Sequence, residues 1–377
     1  MSHRFSPPVS LLKSYTFSLG TQLINSKFLP KHRLLLIEHE TPVEPFRSKL
    51  FPSGNIFIKR DDQLDSYASG NKLRKLEFLF ADILSRPNCK HIITAGSLHS
   101  NHCKAVAVLA SKYRKQTHIL LRTDRTKDDE QILQGNVLLN YLLGAKLYLI
   151  PKKANIQRDI EPRVKLLEEQ LGGQDKCYSI PIGGSDTTGI FGYIDCFVKE
   201  ILPIIDKFNL GHLVLPMSSG GTMEGLALAN YFTGNRLRIH AFAVSDNKTY
   251  FKTHFKTILH QLELNHLTEL VDNNQLVDIC DSHVGLGYGR MTDEQIIFLR
   301  QVISETGILF DPVYTGKCLW GLAEELRNQR MITDGKNILV LHTGGLLGLM
   351  NPEYGQQWLK CNQSHSDPHI RDWMTLD

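Results

Sequence analysis

Residues 213–232 read LVLPMSSGGTMEGLALANYF. An apolar run gives way to Ser-Ser-Gly-Gly, and an Ala/Leu-rich segment of helical composition follows. The pattern predicts strand, tight loop, helix. Gly220 and Gly221 let backbone N–H groups turn inward with no Cβ in the way. Ser219 and Thr222 add hydroxyl donors, and Thr222 is expected at the N-cap of the helix, whose positive dipole end faces the same space. These are the parts of an anion site suited to a phosphate ester. A helix start that is merely capped is the alternative reading of this loop by itself. Neither GxGxxG nor GxxxxGK[ST] occurs, so a dinucleotide or a nucleoside triphosphate is not indicated.

Outward from this segment the same alternation recurs. Short apolar runs at 91–96, 118–122, 146–151, 177–183, 212–217, 238–244 and 337–345 are expected as strands. They are apolar on both faces, as strands of a covered parallel sheet are. Helical patterns lie between them at 71–85, 101–113, 132–143, 156–171, 191–207, 222–232, 249–262, 292–306 and 317–329. The fold class is therefore α/β, with parallel sheets flanked by helices. Three of the strands run into small polar turns: HIITAG-SLHSN, HLVLP-MSSGGT and LVLHTGG. Ligands of such sheets bind beyond the carboxyl ends of the strands, which is where these turns fall.

The totals narrow the function classes. A chain of 377 residues is long enough for two domains, and its net charge of +4 is small and interspersed, so nucleic acid is not an expected partner. No stretch reaches the length of a membrane span, and the N-terminus MSHRFSPPVSLLKSY lacks the apolar core of a secretory signal. The seven cysteines show no CxxC and no metal-like spacing. They are expected as reduced core thiols in a reducing, cytoplasmic compartment, and no metal is expected.

One stretch resists the ordinary reading. SGNKLRKLE at 69–77 places three cations within four residues at a helix start, where the dipole favours acids. Lys72 and Lys75 share a face, while Leu73, Leu76 and Phe80 can share the buried one. A solvated face is the bland explanation. The chemical one is that a lysine beside another cation loses its ammonium form easily, which frees the amine to condense with a carbonyl. Lys72 is the expected amine and Lys75 the expected neutraliser of a phosphate. An activated lysine plus a phosphate cradle points to pyridoxal 5'-phosphate.

With these residues in view, the chain resembles the D-cysteine desulfhydrase and 1-aminocyclopropane-1-carboxylate (ACC) deaminase group of pyridoxal-phosphate enzymes. The matching stretches are IKRDD (58–62), SGNKLRKLE, AGSLHSNHCKAVA (95–107), PIGGSDTTGIFGY (181–193), SSGGTMEGLALA (218–229), GLGYG (285–289), ILFDPVYTGKCLWGLAE (308–324) and LHTGG (341–345). The resemblance implies a tryptophan-synthase β-subunit-like fold. Its large domain would comprise 1–74 plus 186–377, with a smaller α/β domain inserted at 75–185. It further implies that Lys72 binds the cofactor, Lys75 lies near its phosphate and Asn101 bonds the ring 3-hydroxyl. Ser219, Gly220, Gly221 and Thr222 would hold the phosphate, and Thr315 would face the pyridine nitrogen. Thr343, in the LHTGG turn, joins the cofactor set. Ser100, Asn101, His102, Tyr288 and Tyr314 would meet the substrate, with Lys72, Ser100 and the tyrosines catalytic. A small amino acid is the expected substrate and a homodimer the expected assembly.

Within that group, ACC deaminases resemble one another in a glutamate after the tyrosine of the PVY segment and a leucine in the H-x-G-G turn. Here the two places hold Thr315 and Thr343. A hydroxyl cannot keep a proton on the ring, so the electron sink is weaker, yet adequate for a thiolate leaving group. D-cysteine desulfhydration is therefore the expected reaction, with ACC deamination as the alternative. A non-catalytic binding protein is the competing class, and the intact residue set argues against it. Two departures from the pattern, Ser218-Ser219 and LLGLMNPE after LHTGG, bear on substrate more than on cofactor. The first 40 residues and the tail after 352 carry no assignment.

Overall fold

A computed structural model of the protein describes residues 12–16, 24–51, 55–64, 70–350 and 352–363. Ser69 of SGNKLRKLE, the first eleven residues read against a secretory signal, and most of the polar tail lie outside them.

The strands are β1 (Leu12–Ser14), β2 (His32–Leu34), β3 (Val43–Phe46), β4 (Ile56–Lys59), β5 (His91–Ser97), β6 (Gln116–Thr123), β7 (Lys146–Pro151), β8 (Cys177–Ser179), β9 (Leu210–Met217), β10 (Arg238–Ala243), β11 (Asp278–Cys280) and β12 (Asn337–Leu341). Six build one sheet in the order β11-β10-β9-β12-β4-β3, parallel except for the edge pair β3–β4. Four build a second, all-parallel sheet in the order β7-β6-β5-β8. β1 and β2 form a short antiparallel ribbon. The helices are α1 (Lys72–Ser85), α2 (Asn101–Lys112), α3 (Gly135–Leu142), α4 (Glu161–Gln170), α5 (Phe191–Cys196), α6 (Gly221–Phe232), α7 (Lys248–Gln261), α8 (Thr268–Asp272), α9 (Asp293–Thr306), α10 (Thr315–Arg327) and α11 (Pro352–Gln363). The α/β class with parallel sheets flanked by helices is thus observed.

Departures from the expected elements have local causes. The run 191–207 is not one helix: α5 passes into a π-turn at Phe197–Ile201 and a 3-10 turn at Leu202–Ile204, where Pro203 lacks an amide N–H. The strand expected at 177–183 stops at Ser179, because Pro181 and the left-handed Gly183 (φ 72°) turn the chain. β3, β4 and β11 carry no clean period-2 signal and were not expected as strands.

α1 is buried on every side from Lys72 to Ala81, so the solvated-face reading of its cations is wrong. Each charge has a separate destination. Arg74 forks onto both oxygens of Asp61 (2.8 Å each) and reaches Glu200 at 2.5 and 2.9 Å. Lys59 donates to Glu200 (2.6 Å), and the hydroxyls of Tyr193 and Thr41 donate to Asp61 (2.6 and 2.8 Å). Burial raises the Asp61 pKa, but Arg74 and Lys59 more than offset it and hold it at about 2. Glu77 accepts from Arg33 and from the backbone N–H groups of Leu36 and Ile37. With Arg74 and Glu77 paired, α1 can cross the interior and present Lys72 at its first turn.

Candidate active site

Gly70 (φ 77°) leads into α1 with its Cα pressed on the turn after β12: a Cβ there would sit 2.1 Å from the Thr343 carbonyl oxygen. Asn71 donates its backbone N–H to that same oxygen (3.0 Å) and its side-chain amide to Thr222 Oγ1 (3.2 Å). The starts of α1 and α6 and the Thr343 turn therefore meet at one point, beyond the carboxyl ends of β9 and β12.

Lys72 is 7 % exposed, and its amine makes no hydrogen bond or ion pair with the described residues. Burial lowers its pKa to about 8. The cause is not the neighbouring cation expected from the sequence: burial acts on Lys72, while Lys75 is lowered first by its own burial and then by the Lys72 charge. Lys75 Nζ donates to the Gly183 carbonyl (3.1 Å) and to Ser185 Oγ (3.2 Å).

Ser185 organises the loop. Its hydroxyl donates to Ser219 Oγ (2.8 Å) and accepts the Gly221 backbone N–H (3.1 Å). A Cβ on Gly221 would lie 2.7 Å from Ser185 Oγ and 2.9 Å from Lys75 Nζ. Gly220 takes φ 90°, which opens the N-terminus of the twelve-residue α6. Gly220 itself is the N-cap, so Thr222 is not; it sits inside the first turn and accepts from Asn71 instead. Behind the loop the buried Glu224 pairs with His254 Nδ1 at 2.6 Å, and that carboxylate raises the His254 pKa.

The opposite wall comes from α2 and α10. Ser100 caps α2: its hydroxyl accepts the Cys103 N–H (3.2 Å). Asn101 Oδ1 accepts from Asn136 Nδ2 (3.0 Å), and a Cβ on Gly345 would come within 2.9 Å of Asn101 Nδ2 and 3.1 Å of Asp311 Cγ. His102 is buried and bonded to Thr94 Oγ1 (3.0 Å). That hydroxyl gives its own proton to the Ile180 carbonyl (2.9 Å), so His102 donates from Nε2 and keeps a bare Nδ1 with no partner among the described residues. Burial, then Lys72 and Lys75, hold the ring neutral.

Tyr288 and Tyr314 touch hydroxyl to hydroxyl at 2.8 Å, with rings edge to face. Burial raises both phenols, and that of Tyr314 further; the Tyr314 hydroxyl pulls Tyr288 back down. Both are therefore protonated near neutral pH. Asp311 takes the backbone N–H groups of Val313, Tyr314 and Thr315 (3.0, 2.7 and 2.9 Å) and so sets the start of α10. Thr315 Oγ1 is 3.4 Å from His342 Nδ1, and His342 donates from Nε2 to the Leu309 carbonyl (2.8 Å).

Every expected position thus gathers around the strand ends of the two sheets. Sequence reasoning passed over Asn71, Ser185, Asp311 and His342. Ser185 carried a signal, since it follows Gly183-Gly184 in a stretch already singled out. His342 carried none beyond its place in LHTGG.

The residues present fit a phosphorylated aldehyde. The space a Gly221 Cβ would fill is bordered by a lysine, a hydroxyl and the N-terminus of α6, all donors. A few residues away along α1 stands a buried amine with no competing partner and a lowered pKa.

A family profile described as pyridoxal-phosphate dependent enzyme matches residues 34–344. The chain belongs to the pyridoxal-phosphate dependent enzymes. Pyridoxal phosphate is its cofactor, and its relatives lie in the D-cysteine desulfhydrase and ACC deaminase group. A bifunctional D-cysteine desulfhydrase/ACC deaminase of Arabidopsis thaliana, described as mitochondrial, is 35% identical over 90% of this chain and 84% of its own. A D-cysteine desulfhydrase of Salmonella paratyphi A is 32% identical over 83% and 94%. A solved ACC deaminase homologue superposes with a TM-score of 0.70 at 29% identity, covering 87% of this chain and 96% of its own. No described helix of this pyridoxal-phosphate dependent lyase is long and apolar enough to cross a membrane.

Proposed function

We propose that this enzyme removes the Cα proton of D-cysteine and expels its sulfur as sulfide, with 2-aminoacrylate released and hydrolysed to pyruvate and ammonia. When bound, pyridoxal phosphate supplies the electron sink for the charge left at Cα. Lys72 would hold it through the aldehyde carbon. Lys75, Ser185, Ser219, Gly220, Gly221 and Thr222 would hold the phosphate, and Asn101 the ring hydroxyl. Thr315 would offer the pyridine nitrogen a neutral hydroxyl, and Thr343 would complete the wall through the backbone turn that positions Asn71.

The chemistry of the chain's own groups follows. With cofactor and substrate bound, the Lys72 amine would take the proton from Cα. Ser100 and Asn101 lie where the substrate carboxylate would be oriented, and His102 lines that side. Tyr288 and Tyr314, both protonated, hand a proton to the departing sulfur. The observation that carries the reading is the pairing of this unpartnered buried amine with the donor-lined Gly221 pocket. Thr315 in place of a carboxylate favours sulfide elimination over ACC ring opening, which remains the second reading because relatives in the group are named for it.

One assay separates the two. D-cysteine should yield equal sulfide and pyruvate, and ACC should yield little 2-oxobutanoate. Turnover of ACC alone would overturn the D-cysteine assignment. The purified protein should be yellow, and Lys72→Ala should bleach it; a colourless wild type that no vitamer restores would favour a non-catalytic binder.

Three further readings accompany this one. The division into 1–74 plus 186–377 and 75–185 draws support from the two separate sheets, and limited proteolysis tests it. Light scattering tests the homodimer, and fractionation tests the cytoplasmic location.

A further inference from the structure

Cys280 ends β11 at the edge of the six-stranded sheet, His283 follows three residues later, and Glu325 stands on α10. One ligand-capable atom of each lies within 4.8 Å of the other two. His283 Nε2 is 2.7 Å from Glu325 Oε1 across 42 residues of chain. Cys280 is the described free cysteine that is not buried, and the side chains of His283 and Glu325 are 12% and 15% exposed. An ion from solvent can therefore reach all three. Gly321 of α10 brings the imidazole close, since a Cβ there would sit 3.2 Å from His283 Cδ2.

We propose that Cys280, His283 and Glu325 form a binding site for a divalent transition ion, Zn2+ in the first instance, with water as fourth ligand. One sulfur, one nitrogen and one carboxylate oxygen are the donors of a borderline-soft ion and a poor set for Mg2+ or Ca2+. Donor atoms around tetrahedral zinc stand roughly 3.3–3.8 Å apart, so separations of up to 4.8 Å must close by roughly 1–1.5 Å, and the 2.7 Å contact of His283 with Glu325 must open by roughly 0.6–1.1 Å. The hydrogen bonds that Glu325 accepts from His283 and from Arg330 (3.0 and 2.8 Å) all fall on Oε1. Among the described residues Oε2 takes none and is free to meet a cation.

The site has a position that matters to the chemistry without belonging to it. The segment after Cys280 runs into the GLGYG loop that carries Tyr288, and α10 starts next to Tyr314. Lys317 of α10 already donates to the Val284 and Gly287 carbonyls of that loop. A bound ion adds a second tie between the same two pieces, and so holds one tyrosine against the other from outside the cofactor space.

The test uses tag-free, pyridoxal-phosphate-loaded protein stripped with a chelator, then titrated with Zn2+ or Co2+ alone. Metal content is read by mass spectrometry, and Co2+ also by its thiolate charge-transfer absorption. One equivalent per chain is expected, with the thiolate band present. Cys280→Ser should abolish the band, and Cys280→Ser, His283→Gln and Glu325→Gln should each weaken binding by at least about tenfold. Lys72→Ala should bind the ion as the wild type does, which separates this site from the proposed reaction. No uptake by the wild type overturns the proposal, as does one equivalent that Cys280→Ser leaves unchanged.

Discussion

Lys72→Met probes how strongly the fold disfavours an ammonium at this position. The Lys72 pKa falls from 10.5 to about 8 because the side chain is buried, 7 % exposed, among groups that give its charge no counter-ion. The sign follows from proton binding. Between pH 8 and 10.5 the unfolded chain holds this proton and the folded one does not, so stability rises with pH across that window. Below pH 8 the folded apoprotein carries the full penalty. A shift of two and a half units at about 1.36 kcal/mol each is roughly 3 kcal/mol. Methionine has similar volume and no charge. The apo variant should therefore exceed apo wild type by roughly 3 kcal/mol at pH 7, falling to about 1 kcal/mol at pH 10. Urea unfolding of both apoproteins at a series of pH values measures the gap. Packing differences between the two side chains shift it by a constant and leave its slope alone. A gap that stays level from pH 7 to 10 refutes the buried-amine account, and with it the source of the nucleophile.

Three other outcomes are expected. Gly221→Ala places a methyl 2.7 Å from Ser185 Oγ and 2.9 Å from Lys75 Nζ; the overpacking, about 1–3 kcal/mol, should weaken cofactor binding roughly 10- to 100-fold in an absorbance titration of apoprotein. Tyr288→Phe and Tyr314→Phe should each lower kcat by roughly 10²–10⁴ while KM moves little, as expected for lost proton transfer. Arg74→Met leaves Asp61 and Glu200 buried with one partner fewer and should cost roughly 3–5 kcal/mol in denaturant unfolding, with Arg74→Lys failing to restore it because the fork is bidentate.

Much of the site was legible because its signals are local. The strand, the glycine pair and the helix of residues 213–232 encode the anion cradle within twenty residues, and the lysine crowding at 72–75 breaks a helix-dipole preference visible in one turn. Ser185 was not nominated because its partners Lys75 and Gly221 are 110 and 36 residues away. The role of Arg74 was hidden for the same reason: Glu200 is 126 residues distant. Spacing rules also give no sign that Cys280 and His283 stand beside Glu325 of α10.

By itself the sequence determined what kinds of groups are present and which short segments could present them: alternation settles the class of fold, and a missing Cβ at 220 and 221 settles where backbone amides can converge. Only the tertiary structure decided what each charge does. It separated three adjacent cations into a free amine, an anchor for two buried carboxylates and a donor to the Gly183 turn. Burial and long-range pairing depend on which segments meet, and neither is a periodic property of the chain.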